Sequence, residues 1–135
     1  MYYTSRRPCY IAENCPDFSN TKYGGHDVYV YVWLDETGKP FYVGSGRGNR
    51  ASSTSNRNEA FKAKLNKGCS VLFLAEGLHR LGGNSFEYHL VQRLRDMGFN
   101  LVNVGYNRDR KYSSWIRDDV IAPYCDEMMA TILSF

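Results

Sequence analysis

A β-hairpin in the second quarter of the chain constrains the fold more than any other segment. Residues 28–34 read Val-Tyr-Val-Tyr-Val-Trp-Leu, and this alternation of aliphatic with aromatic side chains is the period-two pattern of a strand. The turn sequence Asp-Glu-Thr-Gly follows at 35–38, and residues 39–44 read Lys-Pro-Phe-Tyr-Val-Gly. Two strands joined by so short a connection pair antiparallel.

The hairpin predicts two chemically different faces. Because the turn contains an even number of residues, odd positions of the first strand share a face with even positions of the second. That face carries Tyr29, Tyr31, Trp33 and Tyr42. The other face is the expected core side and carries Val28, Val30, Val32, Leu34, Phe41 and Val43. The row of phenols beside a glycine-rich loop predicts a reactive surface next to a phosphate-binding segment.

The rest of the chain predicts a small α+β domain in which helices pack on an antiparallel sheet. Residues 1–25 form an N-terminal extension, residues 26–107 the core and residues 108–135 a C-terminal helical extension. The elements predicted after the hairpin are a helix capped by Asn56 and ended by Gly68, a buried strand at 71–75, a loop at 77–83, a helix at 86–97, an edge strand at 101–104, and a last helix at 115–135 interrupted by Pro123.

Charge is distributed unevenly along a chain whose net charge is +3. Residues 39–67 hold seven basic residues and one acid, whereas residues 118–135 hold four acids and no base. A basic block on a nearly neutral protein is typical of a polyanion-binding surface, and equally of an ordinary solvated face. The candidates for contacts with nucleic acid are Arg47, Arg57, Lys62, Lys64 and Lys67.

Glu87 is a carboxylate on the apolar stripe of the helix predicted at 86–97. On a helical wheel of about 100° per residue it falls inside the arc of that stripe. A buried carboxylate needs a partner, and a divalent cation is one such partner. The alternative is a capping box, in which Asn84 caps the helix and Glu87 occupies the third helical position. Its position on the wheel leaves both interpretations open.

The glycine-rich loop carries a second charged candidate, Arg50. Residues 44–50 read Gly-Ser-Gly-Arg-Gly-Asn-Arg, which is neither a Walker sequence nor a dinucleotide fingerprint. The guanidinium fork of Arg50 suits a phosphate or the pentacovalent species formed during phosphate hydrolysis.

The hairpin, the loop, a later helical glutamate and a following asparagine together resemble the GIY-YIG nuclease family. The resemblance covers residues 27–107 and is closest to the subgroup of LEM-domain-containing nucleases and their bacterial and phage relatives. It implies a three-stranded antiparallel sheet flanked by helices, and a phosphodiesterase that uses one Mg²⁺ or Mn²⁺ ion per active site.

The resemblance also implies roles for individual residues. Tyr29 would be the general base, and Tyr42 would orient water or phosphate. Arg50 would stabilise charge on the phosphate, and Glu87 would hold the metal. Asn103 corresponds to the late asparagine of the family, with Asn107 as its competitor.

The sequence therefore predicts a metal-dependent endonuclease that hydrolyses DNA. The alternative is a nucleic-acid-binding module of the same fold that has lost turnover. No apolar run approaches the roughly 18 residues of a membrane span, and no secretion signal is evident, so we expect no membrane partner. A phage or bacterial enzyme acting in the cytoplasm is the expected setting.

The apolar C-terminal segment raises the question of assembly. Residues 128–135 read Met-Met-Ala-Thr-Ile-Leu-Ser-Phe. One interpretation is a homodimer or larger homo-oligomer, which would help an enzyme with one site per chain to cut both strands. The other is that this segment packs on its own core.

Overall fold

A mixed five-stranded sheet with helices on both faces makes up the described part of the protein. The computed structural model describes residues 3–6, 10–11, 27–51, 57–65, 67–103 and 118–134. Within these residues the strands are β1 (Tyr3–Arg6), β2 (Tyr10–Ile11), β3 (Val28–Leu34), β4 (Pro40–Gly46) and β5 (Cys69–Leu78). The helices are α1 (Glu59–Leu65), α2 (Arg80–Asp96) and α3 (Asp118–Leu133).

The strand order is β1-β5-β3-β4, with β2 also paired to β5. Strands β5, β3 and β4 pair antiparallel, which confirms the predicted α+β class and its three-stranded antiparallel sheet. Strands β1 and β2 come from the predicted N-terminal extension and add to β5 in parallel. Neither of these two short strands is predicted by the sequence pattern. Strand β4 lies at one edge of the sheet.

The hairpin register agrees with the predicted sharing of faces except at one residue. Trp33 pairs with Tyr42, whereas Leu34 pairs with Pro40, so Phe41 is the extra residue of a β-bulge. The bulge turns Phe41 onto the side of Trp33, where it packs in the aromatic cluster. The expectation that Phe41 shares the aliphatic face with Val43 is therefore wrong.

Both faces of the hairpin are buried, so the aromatic face is a second core and not the open reactive surface that the sequence suggests. The aliphatic face of β3 packs under α2 and α3. The aromatic face is covered by α1 through Phe61 and Leu65, together with Ala51. Tyr31 and Trp33 have no exposed surface at all. Phenol and indole rings carry enough apolar area to form a core when a helix covers them.

Helix α1 begins two residues later than predicted. The side chain of Asn58 accepts a hydrogen bond from the Phe61 amide at 2.8 Å, which is the geometry of an N-cap. Asn56, the predicted cap, lies outside the described residues. Gly68 follows the helix with φ +85°, in agreement with its predicted place at the helix end.

Helix α2 starts at Arg80, six residues before its predicted start. The imidazole Nδ1 of His79 accepts a hydrogen bond from the Gly82 amide at 3.0 Å and caps the helix. The predicted loop at 77–83 is instead the end of β5 followed by the first turn of α2. Gly83 lies so close to β3 that an added Cβ would be 2.5 Å from Val28 Cγ1. Glycine is a poor helix former, but here it lets the helix approach the sheet.

The end of α2 follows the prediction. Gly98 has φ +92°, its amide donates to the Arg95 carbonyl at 3.0 Å, and the Phe99 amide donates to the Leu94 carbonyl at 3.1 Å. These two bonds form a Schellman motif, which satisfies carbonyls that the helix leaves without partners.

Helix α3 continues through Pro123 and is not interrupted there as predicted. Met128, Met129 and Ile132 are buried in the cluster under α2. The apolar segment that suggests a homo-oligomer thus packs on the chain's own core. Among the described residues, no helix is both long and apolar enough to cross a bilayer.

Candidate active site

The end of β4 brings the predicted site residues together. Here the sequence is Gly44-Ser45-Gly46, and alternation along the strand turns the two glycines to the aromatic face and Ser45 to the α2 face. An added Cβ on Gly44 would lie 2.5 Å from the Tyr31 hydroxyl, and one on Gly46 would lie 2.5 Å from Arg50 Cγ. Neither glycine has a positive φ, so each is needed for space and not for its backbone conformation.

Tyr29 holds the turn that follows β4. Its hydroxyl donates to the Gly48 carbonyl at 2.8 Å and accepts from the Ala51 amide at 2.8 Å. The hydroxyl therefore serves the turn backbone both as donor and as acceptor. This engagement does not favour the role of general base that the resemblance implies for Tyr29.

Tyr31 is the phenol that lies near Arg57 and Arg50. It is not among the site residues predicted from the sequence. Its hydroxyl accepts a hydrogen bond from Arg57 Nη2 at 3.1 Å. Its ring stacks on that of Tyr42 with centroids 6.2 Å apart. Burial, with a further contribution from Tyr42, raises the pKa of Tyr31 to about 12, although the charges of Arg57 and Arg50 act in the opposite direction. Tyr31 is therefore a neutral hydrogen-bonding group at physiological pH.

Arg57 lies inside the protein, which contradicts its predicted place on a DNA-binding surface. Only 6% of the residue is exposed. Its guanidinium lies 4.9 Å from the ring centroid of Tyr42 and 4.8 Å from that of Phe61. Arg57 Nη2 also donates to the Arg50 carbonyl at 2.8 Å. The weak hydration of a guanidinium and its attraction to ring faces suit it to such a position.

Glu87 lies on the other face of β4. The hydroxyl of Ser45 is 3.4 Å from Glu87 Oε1 and 3.4 Å from Asn84 Oδ1, long contacts that place three oxygen-bearing side chains together. Asn84 and Glu87 are three residues apart, on one face of α2. Because Asn84 lies inside α2 and His79 caps it, the capping-box interpretation of Glu87 is wrong.

The two halves of the candidate site approach consecutive residues of β4 from opposite faces. Tyr31 lies against Gly44 and Arg50 against Gly46, whereas Glu87 contacts the intervening Ser45. The structure therefore does not gather these groups on one face of the sheet. Because β4 is an edge strand, a ligand at its C-terminal end could meet groups from both faces.

Asn103 completes the edge of β4 as a neighbouring strand would. Its Oδ1 accepts from the Val43 amide at 3.0 Å, and its Nδ2 donates to the Val43 carbonyl at 2.6 Å. The Val102 amide donates to the Phe41 carbonyl at 2.8 Å. Residues 101–103 thus do not form the predicted strand. They still hydrogen-bond to the edge of β4, Val102 through its backbone and Asn103 through its side chain. Asn103 positions β4, and its competitor Asn107 lies outside the described residues.

Among the residues predicted to contact nucleic acid, Lys62, Lys64 and Lys67 lie in or directly after α1, and Arg47 lies in the turn after β4. Arg47 is 3.8 Å from Asp27, Lys62 is 3.8 Å from Glu59, and Lys64 is 3.8 Å from Asp35. The exposed Arg47–Asp27 and Lys62–Glu59 pairs are weak and leave their cations accessible to another anion, whereas the Asp35 side chain of the third pair is only 10% exposed. Lys67, the remaining member of the predicted set, is also exposed.

The donors at Glu87 fit a hard divalent cation. Within the described residues no three His, Cys, Asp or Glu side chains come together, so a cation held by Glu87 would take most of its ligands from neutral oxygens and water. Mg²⁺ retains several waters and prefers such oxygen ligands, and Mn²⁺ shares that preference.

Comparisons of the chain with protein-family models, curated proteins and solved structures find no match.

Proposed function

We propose that the protein is a Mg²⁺- or Mn²⁺-dependent endonuclease that hydrolyses DNA phosphodiester bonds at the end of β4, with one ion per site. The observation that supports this proposal is the approach of Arg50 and of Glu87 to adjacent residues of one strand, Gly46 and Ser45. The guanidinium of Arg50 is suited to hold a phosphate, and the carboxylate of Glu87 is suited to hold a metal ion across the same edge strand.

The acidic half of the site would hold the cation. Glu87 is the charged ligand, and the oxygens of Asn84 and Ser45 are its neutral neighbours. When bound, the ion would supply Lewis-acid polarisation of the phosphoryl oxygen and lower the pKa of water.

The aromatic half of the site would receive the phosphate. Arg50 is half-exposed and can neutralise charge that develops on the phosphoryl oxygens. Of the phenols on this face, Tyr42 is half-exposed whereas Tyr29 and Tyr31 are buried. Tyr42 is therefore the phenol that we place against water or phosphate.

The exposed basic residues would contact the DNA backbone. Lys62, Lys64 and Lys67 lie in or directly after α1, on the same side of the sheet as Tyr42, and the exposed Arg47 lies in the turn that carries Arg50. Contacts of this kind position DNA without reading its sequence. The place of action that accompanies this proposal is the cytoplasm of a bacterium or a phage-infected cell.

The test is Glu87→Gln, which keeps the shape of the side chain and removes its charge. We expect Mg²⁺-dependent nicking of plasmid DNA to fall at least about 100-fold, because the carboxylate that we assign to the metal is lost. DNA binding without metal should not weaken. Glu59→Gln is the matched control, since Glu59 is exposed on α1, and it should cut like the wild type. Wild-type cleavage by the Glu87 variant would refute the assignment of the metal site.

A nucleic-acid-binding module without turnover is the second candidate. The engagement of the Tyr29 hydroxyl with the turn, and the position of Glu87 on the opposite face from Tyr42, favour it. Such a module would bind DNA with a steep dependence on salt and show no cleavage with Mg²⁺ or Mn²⁺. Plasmid and branched DNA assayed with and without metal distinguish the two.

A further inference from the structure

Arg57 connects several parts of the candidate site on the aromatic face. One terminal nitrogen donates to the Tyr31 hydroxyl at 3.1 Å and to the Arg50 carbonyl at 2.8 Å. The plane of its guanidinium lies near the rings of Tyr42 and Phe61. The buried side chain of Arg57 thus contacts Tyr31, Tyr42 and the backbone of Arg50.

The turn that carries Arg50 is held by its own backbone and by β3, where the Tyr29 hydroxyl donates to the Gly48 carbonyl and the Trp33 indole donates to the Ala51 carbonyl at 3.1 Å. The Arg50 amide donates to the Arg47 carbonyl at 3.2 Å, and the Ala51 amide donates to the Tyr29 hydroxyl at 2.8 Å. The bond from Arg57 to the Arg50 carbonyl joins this turn to the segment that leads into α1. Without it, the end of the turn would lose a charge-assisted hydrogen bond.

A lysine would not reproduce these contacts. An arginine presents a flat, weakly hydrated face to aromatic rings and several donors in a fixed plane. A lysine ammonium is a strongly hydrated point charge without such a face. The combination of stacking on Tyr42 with donation to Tyr31 and Arg50 is therefore specific to arginine.

We propose that Arg57 is a positioning residue of the site: it fixes the Tyr31 hydroxyl and the turn that ends at Arg50. Through them it keeps Tyr42 and Arg50 in the arrangement in which they meet the phosphate. This inference rests on the proposed function. It assigns to Arg57 no contact with DNA, because the side chain is buried.

The experiment compares Arg57→Lys and Arg57→Met with Arg80→Met, a control that removes an exposed arginine at the start of α2. Two quantities are measured below the unfolding temperature of every variant: amide hydrogen exchange at Arg50 and Ala51, and kcat and KM for plasmid nicking. We expect faster exchange at both amides in the two Arg57 variants. We expect kcat to fall about 10- to 100-fold, as it does when outer residues of a site are removed, with KM for DNA unchanged.

Each outcome bears on the inference separately from the proposed function. Unchanged exchange at Arg50 and Ala51 overturns it, whatever the activity. Faster exchange with unchanged kcat overturns it too, because Arg57 would then serve stability alone. A rise in KM at constant kcat would instead make Arg57 a DNA contact. If the wild type does not cleave DNA at all, the proposed function fails, and exchange alone decides whether Arg57 fixes the turn.

Discussion

Gly44 shows how one missing side chain permits the aromatic face to form. The Tyr31 ring lies where a Cβ on residue 44 would be, and the same ring stacks on Tyr42. A larger residue would move Tyr31 away from Arg57. The close packing of the phenols with β4 therefore depends on the absence of a side chain at residue 44.

We predict that Gly44→Ala destabilises the protein by about 1–3 kcal/mol, the usual cost of overpacking a filled core. Urea unfolding measures this change. The matched comparison is the same substitution in a Tyr31→Val background, where the ring is gone and the cost should largely disappear. An equal cost in both backgrounds would show that contact with Tyr31 is not the cause.

Single residues differ in how far the sequence predicts them. The helical wheel predicts that Glu87 lies on the side of α2 that faces the sheet, because helical periodicity does not depend on where the helix starts. The burial of Arg57 cannot be predicted, because basic side chains are mostly exposed and a run of them indicates a surface. The strand pattern places Tyr29 and Tyr31 on one face, but it does not show which hydroxyl a later turn will engage.

At the scale of elements, the turn between β3 and β4 is stabilised by one carboxylate. Asp35 Oδ1 accepts from the Thr37 amide at 2.9 Å, the Thr37 hydroxyl at 2.6 Å and the Lys39 amide at 3.0 Å. Burial by itself would raise the pKa of Asp35, but these hydrogen bonds and the charge of Lys64 outweigh it and hold the pKa below its usual value of 3.8. The ionised form is thus favoured in the folded state.

We predict that the hairpin loses stability in acid through Asp35. Because its pKa is lower in the folded than in the unfolded protein, its contribution is complete above pH 3.8 and disappears as the pH falls through the folded value. Thermal unfolding between pH 7 and pH 2 should therefore show a shallower acid decline for Asp35→Asn than for the wild type. Glu36→Gln, in the same turn, should keep the wild-type decline. Equal declines for wild type and Asp35→Asn would contradict the prediction.

The elements that the sequence predicts incorrectly are those that tertiary contacts decide. Gly82 and Gly83 indicate a loop by propensity, yet they lie in the first turn of α2. At Gly83 the absence of a side chain lets the helix approach Val28. The bulge at Phe41 depends on how the edge strand meets its neighbours, which local alternation does not encode. The end of α2, by contrast, is predictable because the glycine motif is local.

At the scale of the whole molecule, the described helices α1 and α3 lie on opposite faces of the sheet and differ in charge. Lys62, Lys64 and Lys67 belong to α1 or directly follow it, on the aromatic side. Helix α3 packs on the aliphatic side, where Asp119 and Glu127 are exposed. A polyanion would therefore be attracted to the lysines of α1 and repelled from the exposed carboxylates of α3.

We predict that the lysines on the α1 side contribute to the salt dependence of DNA binding. Replacing Lys62, Lys64 and Lys67 with glutamine should weaken binding and reduce the slope of log K against log salt by about 2–3, since each phosphate contact contributes about 0.9. The control on the opposite side is Asp119→Asn with Glu127→Gln, which should leave the slope unchanged. Fluorescence anisotropy over a salt series measures both. An unchanged slope for the lysine variant would place the DNA elsewhere.

The proposed metal site lies where α2 meets the end of β4. Substoichiometric Mn²⁺ added to the labelled protein tests this site, because the ion broadens the NMR signals of nearby amides. We expect selective broadening at Ser45, Asn84 and Glu87, and its loss in Glu87→Gln. Broadening centred on other residues, or broadening that persists in the Glu87 variant, would show that the ion binds elsewhere.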